Sequence, residues 1–370
     1  MIRLLLKKLY SKIRNLRLRI KSGIQIYKIS QNIRSQSKAY RKNLNCYSHK
    51  QKWGRLTPYV NTKWYEVYTN ISGVEDANYI PKDIYFTIVE PRLNDRRLVL
   101  AYADKNLYDR YYKSAIFPEV LLRNIRGIFY DAEYNRISGD IYRHFDNEDK
   151  IIIKPSLESM GGINVELFIK KDDGIFNNGN EVLDREYLNK RFKENFLIQK
   201  YITQHKFFKQ FNPSSVNTVR MFTYRSVRSN DVIVLGAALR IGKEDSVVDN
   251  QRAGGIACET NDGGLLHEYA LDYKFNKFYT FAGSKKFSEM GRVYKFDEMK
   301  DSALKIAKEN YHFRVLGFDM CVDDRDRVRI IEINNHYIGI DLHQSSGCSL
   351  FKEYTDEVIE YCLKTDSTEI

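Results

Sequence analysis

The chain has 370 residues, enough for two or three domains, and a formal net charge of +12. Its five cysteines (Cys46, Cys258, Cys321, Cys348 and Cys362) are scattered and include no C-x-x-C pair, which argues against a disulfide framework and a cysteine zinc site. No apolar run reaches the roughly 18 residues of a membrane span, and the apolar stretch within Met1 to Tyr10 is too short for a secretory leader, so a reducing, cytoplasmic setting is expected.

Charge is unevenly placed. The first 65 residues contain 17 Lys or Arg and no Asp or Glu, which leaves the rest of the chain slightly acidic. Within that segment Leu5, Leu6, Leu9, Ile13, Leu16 and Ile20 recur at helical spacing, with Lys8, Lys12, Arg14, Arg19 and Lys21 between them. The pattern predicts a basic amphipathic helical arm over residues 1–52. Three surfaces compete for it: the anionic inner face of a membrane, the protein's own body with the lysines solvated, and nucleic acid, whose phosphates attract the same charges. No aromatic-rich sheet motif accompanies the charge, so no nucleic-acid partner is expected.

Residues 53–115 read as a small mixed segment, with a strand over residues 84–89 and a helix opening near Asp104. Ile151-Ile152-Ile153-Lys154-Pro155 then reads as a buried strand that delivers a lysine at its end, where a core role is rare for Lys. Ser156 to Ser159 and the pair Gly161-Gly162 follow. A loop of this kind can bring backbone N–H groups close to phosphate oxygens; its plain alternative is a surface turn. Further strands are expected at Phe196 to Ile202 and within Asn212 to Thr223, where an Asn-Pro-Ser-Ser turn leads into the strand; Ala238-Leu239-Arg240-Ile241-Gly242 follows. Asp249 and Asn250 precede another glycine pair, Gly254-Gly255.

Gly317-Phe318-Asp319-Met320 and Ile330-Ile331-Glu332-Ile333-Asn334 read as two strands flanking a polar turn. Folded as a hairpin, they set Asp319 opposite Glu332. Glu332 and Asn334, two residues apart, share one strand face. Two carboxylates and an amide oxygen on one spot suit a hard cation such as Mg²⁺. Asp324-Arg325-Asp326 matches the short D-x-D of metal-dependent glycosyltransferases but falls at the hairpin tip and is read as a turn. His205, His336 and His343 lie near these segments without a spacing that assigns them a role. A C-terminal helix is expected from about Ser349 to Leu363. There is no Walker-A loop, H-E-x-x-H or Rossmann fingerprint.

Taken together, the segments KPS with its GG loop, IQKYI, NPSSVNTVRMFT, ALRIG, VDNQRAGGI, GFDM and IIEIN resemble the ATP-grasp superfamily, from about Asp104-Lys105 to Gln344. They are most similar to its sugar-transfer-associated branch, found with polysaccharide biosynthesis. The resemblance implies an α+β, two-lobed fold that grips ATP between two sheets. Lobe A is expected over residues 116–199, and lobe B over 200–370 with the hairpin and C-terminal helix. It further implies that Lys154 contacts the α- and β-phosphates, with Lys105 as an earlier phosphate-side lysine and Ser159, Gly161 and Gly162 in the phosphate loop. Gln199 and the backbone of Lys200 and Ile202 would read adenine; Gln stands where many relatives have Glu, which leaves nucleotide preference open. Asp319, Glu332 and Asn334 fall on the metal-ligand positions, and Arg220 and Arg240 match arginines near the γ-phosphate and acceptor.

The implied chemistry is ATP-dependent activation of a carboxylate as an acyl phosphate, followed by amide formation with an amine, with Mg²⁺ as the ion. The implied partners are a glycan or lipid-linked sugar acceptor carrying a hexuronic acid, and an amino acid or other amine. Two other classes remain open at this stage: a glycosyltransferase-like enzyme using the D-x-D, and a non-catalytic nucleotide-binding scaffold peripheral to the membrane.

Overall fold

The computed structural model describes residues 2–36, 40–41, 44–113, 116–157, 164–172, 174–246, 249, 251–281, 283 and 285–365. Ser159, Gly161 and Gly162 of the expected phosphate loop lie outside the described residues, as do Val248 and Asn250 of the VDNQRAGGI segment and the side chains of Leu5 and Lys8. A single long helix, α1 (Ile2–Gln36), opens the chain. The strands are β1 (Val120–Ile125), β2 (Ile128–Tyr130), β3 (Lys150–Pro155), β4 (Glu166–Lys171), β5 (Gly174–Asn177), β6 (Phe196–Lys200), β7 (Thr218–Arg225), β8 (Val232–Ile241), β9 (Ile256–Thr260), β10 (Leu266–Leu271), β11 (Lys277–Phe278), β12 (Thr280–Phe281), β13 (Lys285–Lys286), β14 (Val315–Val322) and β15 (Val328–Asn334).

These strands form two large sheets and one small ribbon. The first sheet has the order β2-β1-β6-β3-β4-β5 and the second β11-β10-β9-β8-β7-β14-β15, with β12 and β13 paired separately. Neighbouring strands are antiparallel throughout both large sheets. The central strands are apolar on both faces and are buried on both: all eight residues of β14 are enclosed. The first sheet packs Leu122, Ile151, Ile153, Phe168, Phe196 and Ile198 into its own core. The second sheet has two cores. Met221, Leu239 and Phe318 face the helix Phe296–Glu309, whereas Phe222, Tyr224, Leu235 and Val315 face the segment around Ile84 to Leu93 and the C-terminal helix Thr355–Lys364.

The strand expected over residues 84–89 is absent; this stretch is helical, with Lys82–Ile84 running into a π-turn at Tyr85–Val89 and then Glu90–Leu93. The β-branched and aromatic run was the reason to expect a strand. Burial overrides it: Ile84, Tyr85 and Val89 are enclosed against the second sheet, and Pro81 before the first turn and Pro91 in the last stretch sit where helix starts tolerate proline. The helix expected near Asp104 opens as a 3₁₀ turn, Lys105–Leu107, with the Asp104 carboxylate accepting from the Asn106 N–H, and continues as a short α-helix, Tyr108–Tyr111. The C-terminal helix begins at Thr355, later than expected.

The refolded segment has a definite task. It braces the chain that leaves β15. The buried Glu90 carboxylate accepts from Arg96 at 3.0 Å and from the Ile338 backbone N–H at 3.1 Å. Asn94 donates to the carbonyls of Val315 and Asn335, both at 2.7 Å, and Asn335 donates to Val99 O at 3.0 Å. Arg96 also lies 4.9 Å from the ring centre of Tyr337. A second anchor follows at His343, whose Nδ1 meets Glu259 at 2.5 Å, and whose ring sits so close to Gly236 that a Cβ there would lie 2.1 Å from it.

Removing one partner of a buried ion pair strands the other charge, at about 3–5 kcal/mol. Arg96 and Glu90 are 6% and 0% exposed, so Arg96→Leu is expected to lower the unfolding free energy by that order in urea titrations at neutral pH. Burial already holds the Glu90 carboxyl above its usual range against the pull of Arg96. Without Arg96 it rises further, so the folded state binds the extra proton and the loss shrinks as pH falls. A loss that stays the same from neutral to mildly acidic pH would contradict this account.

Candidate functional site

The antiparallel pairing of β14 with β15 sets Asp319 opposite Glu332 and Gly317 opposite Asn334, as the hairpin pattern predicts. On its other edge β14 pairs with β7 so that Asp319 faces Arg220, and β7 pairs with β8 so that Thr218 faces Arg240. Sheet register alone therefore collects two carboxylates, an amide and two arginines. They line a cavity of about 390 Å³ together with Ile152, Lys154 and Gln199 from the first sheet.

Asp319 is the buried centre of this group. Arg220 binds it through both Nε and Nη2, the latter at 2.6 Å, and Arg240 Nη1 reaches it at 3.0 Å. Burial pushes the Asp319 carboxyl up, but the two guanidiniums more than offset that and hold it at about 2. Arg240 also pairs with Asp249 at 3.2 Å, and Thr218 donates its hydroxyl to Asp249. Burial raises the Asp249 carboxyl despite Arg240 beside it. Asp249 and Thr218 were not singled out as site residues from the sequence; the signal was there in the VDNQRAGGI and NPSSVNTVRMFT segments that contain them.

Two lysines complete the charged end. Lys105 is buried and pairs with Glu332 at 2.8 Å, and its backbone N–H donates to Ser156 O at 3.0 Å, tying it to the end of β3. Lys154, also on β3, is 6% exposed. Burial, reinforced by the nearby charge of Lys105, lowers its ammonium to about 7. Among the described residues Lys154 makes no side-chain hydrogen bond or ion pair; its ammonium faces the charged cavity.

The apolar end is a slot lined by Pro118, Ile152, Val165, Ile202 and Ile331. Gln199 lines it and donates to Pro118 O at 3.4 Å, which leaves its carbonyl oxygen to accept. The Lys200 N–H is committed to Glu119 O at 2.9 Å, so this residue can offer a nucleobase its carbonyl but not its amide; its ammonium pairs with Glu148 at 2.6 Å.

A third region, which the sequence did not mark, extends the cavity toward Gln25 of α1, Lys82, Arg252, Tyr273, Tyr337 and Asp341. Of the three histidines, only His336 lines the cavity; burial lowers it to about 4, so it is neutral near pH 7. His205 stacks on Tyr294 at 4.3 Å between ring centres and caps a short helix by accepting from the Phe207 N–H. His343 is the buried anchor described above. Asp324 and Asp326 are exposed at the hairpin tip, Asp326 in the left-handed region at φ 64° and paired with Lys295, and neither lines the cavity. They form the hairpin turn.

Among the described residues no group of three or more His, Cys, Asp or Glu could hold a metal ion. The donor set here is instead two carboxylates and an amide, with Asn334 donating to Gly317 O at 3.3 Å and keeping its carbonyl oxygen. That set fits a hard cation that takes few protein ligands and fills its shell with phosphate and water oxygens. In this structure Lys105 and the two arginines neutralise the same carboxylates.

No curated protein matches the chain. Among solved structures it is similar to the ATP-grasp ligase PsnB complexed with minimal precursor, at 14% identity and TM-score 0.40 over 73% of this chain and 64% of that one. It is also similar to N5-carboxyaminoimidazole ribonucleotide synthetase from Thermotoga maritima, at 9% identity and TM-score 0.39 over 75% and 54%. A third likeness is to the biotin carboxylase domain of the Hydrogenobacter thermophilus 2-oxoglutarate carboxylase, at 16% identity and TM-score 0.40 over 71% and 46%. The chain thus spans less than two thirds of the length of each. At such TM-scores the assignment rests on the sequence profile of one family, which matches residues 87–358 and so includes β1 to β15 and every described residue of the charged cluster. By that match the chain belongs to the sugar-transfer associated ATP-grasp family.

Proposed function

We propose that the chain is an ATP-dependent, ADP-forming carboxylate–amine ligase that modifies a surface polysaccharide or its precursor, joining a hexuronic acid carboxylate to an amino acid or other amine. The observation that carries this reading is the buried ammonium of Lys154, which shares one cavity with Lys105, two carboxylates, two arginines and an apolar slot. A buried cation without a partner is costly; among the described residues Lys154 has none, and a polyphosphate would relieve that cost.

The roles follow from the positions. Adenine occupies the slot between Ile152 and Ile331, with the Gln199 and Lys200 carbonyls and the Ile202 backbone along its edge. Lys105 and Lys154 bind the α- and β-phosphates, and the family resemblance assigns Ser159, Gly161 and Gly162, which lie outside the described residues, to the same phosphates. Asp319, Glu332 and Asn334 would hold Mg²⁺, which supplies charge neutralisation at the phosphates when bound. Arg220 and Arg240 stabilise charge on the transferring phosphoryl oxygens. The acceptor's carboxylate oxygen bonds to the γ-phosphorus as the bond to the ADP oxygen breaks. The amine nitrogen then attacks the acyl carbon, and inorganic phosphate leaves with the C–O electron pair as the amine loses a proton. Positioning and neutralisation suffice for such steps, and no protein nucleophile is needed. Lys82, Arg252, Tyr273 and Tyr337 give the far end cations for an anionic acceptor and aromatic faces for a sugar ring.

Three outcomes test the reading. ADP release is expected only when a uronic acid acceptor and an amine are supplied together; hydrolysis of a nucleotide sugar without ADP release would overturn it. Glu332→Gln, at a half-buried position, is expected to keep the fold by circular dichroism and to lower turnover by roughly 100-fold or more, the scale for losing one preorganised electrostatic group; near-normal turnover would remove Glu332 from the site.

The third concerns pH. Lys154 titrates at about 7 in the free chain because burial disfavours its charge. Phosphate favours the charged form, so nucleotide binding takes up a proton above pH 7, and affinity falls as pH rises from there. Calorimetry in two buffers of different ionisation heat reads that uptake at pH ~8. Lys154→Met should abolish it, and equal proton exchange in both proteins would contradict the assignment.

A further inference from the structure

The arm helix α1 has two unlike faces. Its inner face is buried through Ser11, Ser22, Ile26, Ile29 and Ile33. Trp64 donates its indole N–H to Ser22 Oγ at 3.2 Å, and the three isoleucines pack with Trp64, Val67, Tyr68 and Ile71 of the helix Lys63–Ser72. The outer face is the apolar one. Leu6, Leu9, Ile13, Leu16, Ile20 and Ile24 are each between 43% and 60% exposed, and Tyr27 continues the row. Successive members are three or four residues apart, so they form one stripe along the helix, about 32 Å long at 1.5 Å per residue. The reading in which these residues pack on the protein's own body therefore fails for this row: the body takes serines and later isoleucines instead.

An exposed apolar row of this length marks a surface that something covers. Charge identifies the cover. Exposed Lys12 borders the stripe on one side, and Arg17, Lys21 and Lys28, also exposed, border the other, at the 100° per residue of a helix. No Asp or Glu precedes Glu66. A second copy meeting this face would set the same cations against each other with no acid on α1 to neutralise them. An anionic lipid surface meets both demands, with acyl chains for the stripe and phosphates for its borders. No helix among the described residues is long and apolar enough to cross a membrane, so the helix would lie along the surface.

We propose that α1 docks the protein on an anionic bilayer with the Leu6-to-Tyr27 stripe in the interfacial layer. The placement bears on the cavity. Gln25, next to Ile24 of the stripe, lines the cavity's far end and accepts from Lys82 Nζ at 3.1 Å. The same turn of helix thus touches both the lipid surface and the acceptor region, which fits an acceptor carried on a lipid. The docking rests on α1 alone and stands or falls apart from the ligase reading.

The test is co-sedimentation of the full chain with vesicles of phosphatidylcholine alone and of phosphatidylcholine with phosphatidylglycerol, at low and high salt. The native chain is expected to bind only the anionic vesicles, and salt should weaken that binding. Leu9→Ser/Leu16→Ser/Ile20→Ser should abolish binding, and Arg17→Gln/Lys21→Gln/Lys28→Gln should weaken it roughly 100-fold. Both variants change exposed residues, so circular dichroism should match the native chain. A second variant, Tyr27→Ser/Ile24→Ser, guards against a folding defect in the first. The proposal is overturned if the native chain ignores anionic vesicles at low salt or binds neutral ones equally well. It is equally overturned if both serine variants bind as the native chain does, or if light scattering finds a dimer that they dissolve.

Discussion

The register pairing of Asp319 with Glu332 is the constraint on which the site depends. A slip of one residue between β14 and β15 would turn Glu332 and Asn334 to the opposite face and dissolve the oxygen cluster. The pairing holds because β14 is buried on both faces and locked on its other edge to β7, where Arg220 stands opposite Asp319. The same hydrogen-bond ladders that fold the second sheet therefore place the charges. What results is a set of buried and half-buried charges, with Lys105, Lys154, Arg220 and Arg240 against Asp249, Asp319 and Glu332. Each carboxylate has a cation, whereas Lys154 pairs with none of them and is held at about 7 by burial; in the proposed reading a polyphosphate would favour its charged form.

The surrounding structure fixes these groups without touching the cavity's centre. Glu90, Arg96, Asn94 and Asn335 hold the chain that leaves β15, and His343 with Glu259 holds it again a few residues later. Both braces come from segments outside the two sheets or from their far strands. They convert an exit loop, ordinarily the most mobile part of a hairpin, into a wall that carries His336 and Tyr337. The brace is polar because the loop's backbone N–H and C=O groups are buried and need partners.

Most strands that carry the site were legible in the sequence: β3, β6, β7, β14 and β15 overlap the apolar runs bounded by turn residues, whereas β8 (Val232–Ile241) was marked only by its ALRIG segment. So was the opposition of Asp319 to Glu332, because side-chain alternation in a hairpin leaves little freedom. The stretch over residues 84–89 misled because aromatic and β-branched residues serve a helix as well as a strand once every side is buried. Asp249 and Arg252 lie in the VDNQRAGGI segment without a spacing that assigns them a role, whereas Lys82 and Tyr273 come from distant segments that converge only in the folded chain. The arm was legible as an amphipathic helix, but not which face the body would take. The apolar row points outward, and the inner face works through serines at close helix contact and three isoleucines near its end.

The chain belongs to the sugar-transfer associated ATP-grasp family, and its cavity has apolar, charged and mixed lining, the last including Gln25 of α1; the proposed reading assigns these regions to adenine, phosphates and acceptor. The central claim is that the middle region takes the triphosphate and cation of Mg-ATP by exchanging the partners of its ion pairs. The most direct measurement is a crystal structure of the chain with Mg²⁺ and a non-hydrolysable ATP analogue. The account predicts Lys105 released from Glu332 onto phosphate, Lys154 on the same triphosphate, and the cation bound by Asp319, Glu332 and Asn334. A nucleotide bound elsewhere, or an intact Lys105–Glu332 pair with no cation beside it, would contradict the account.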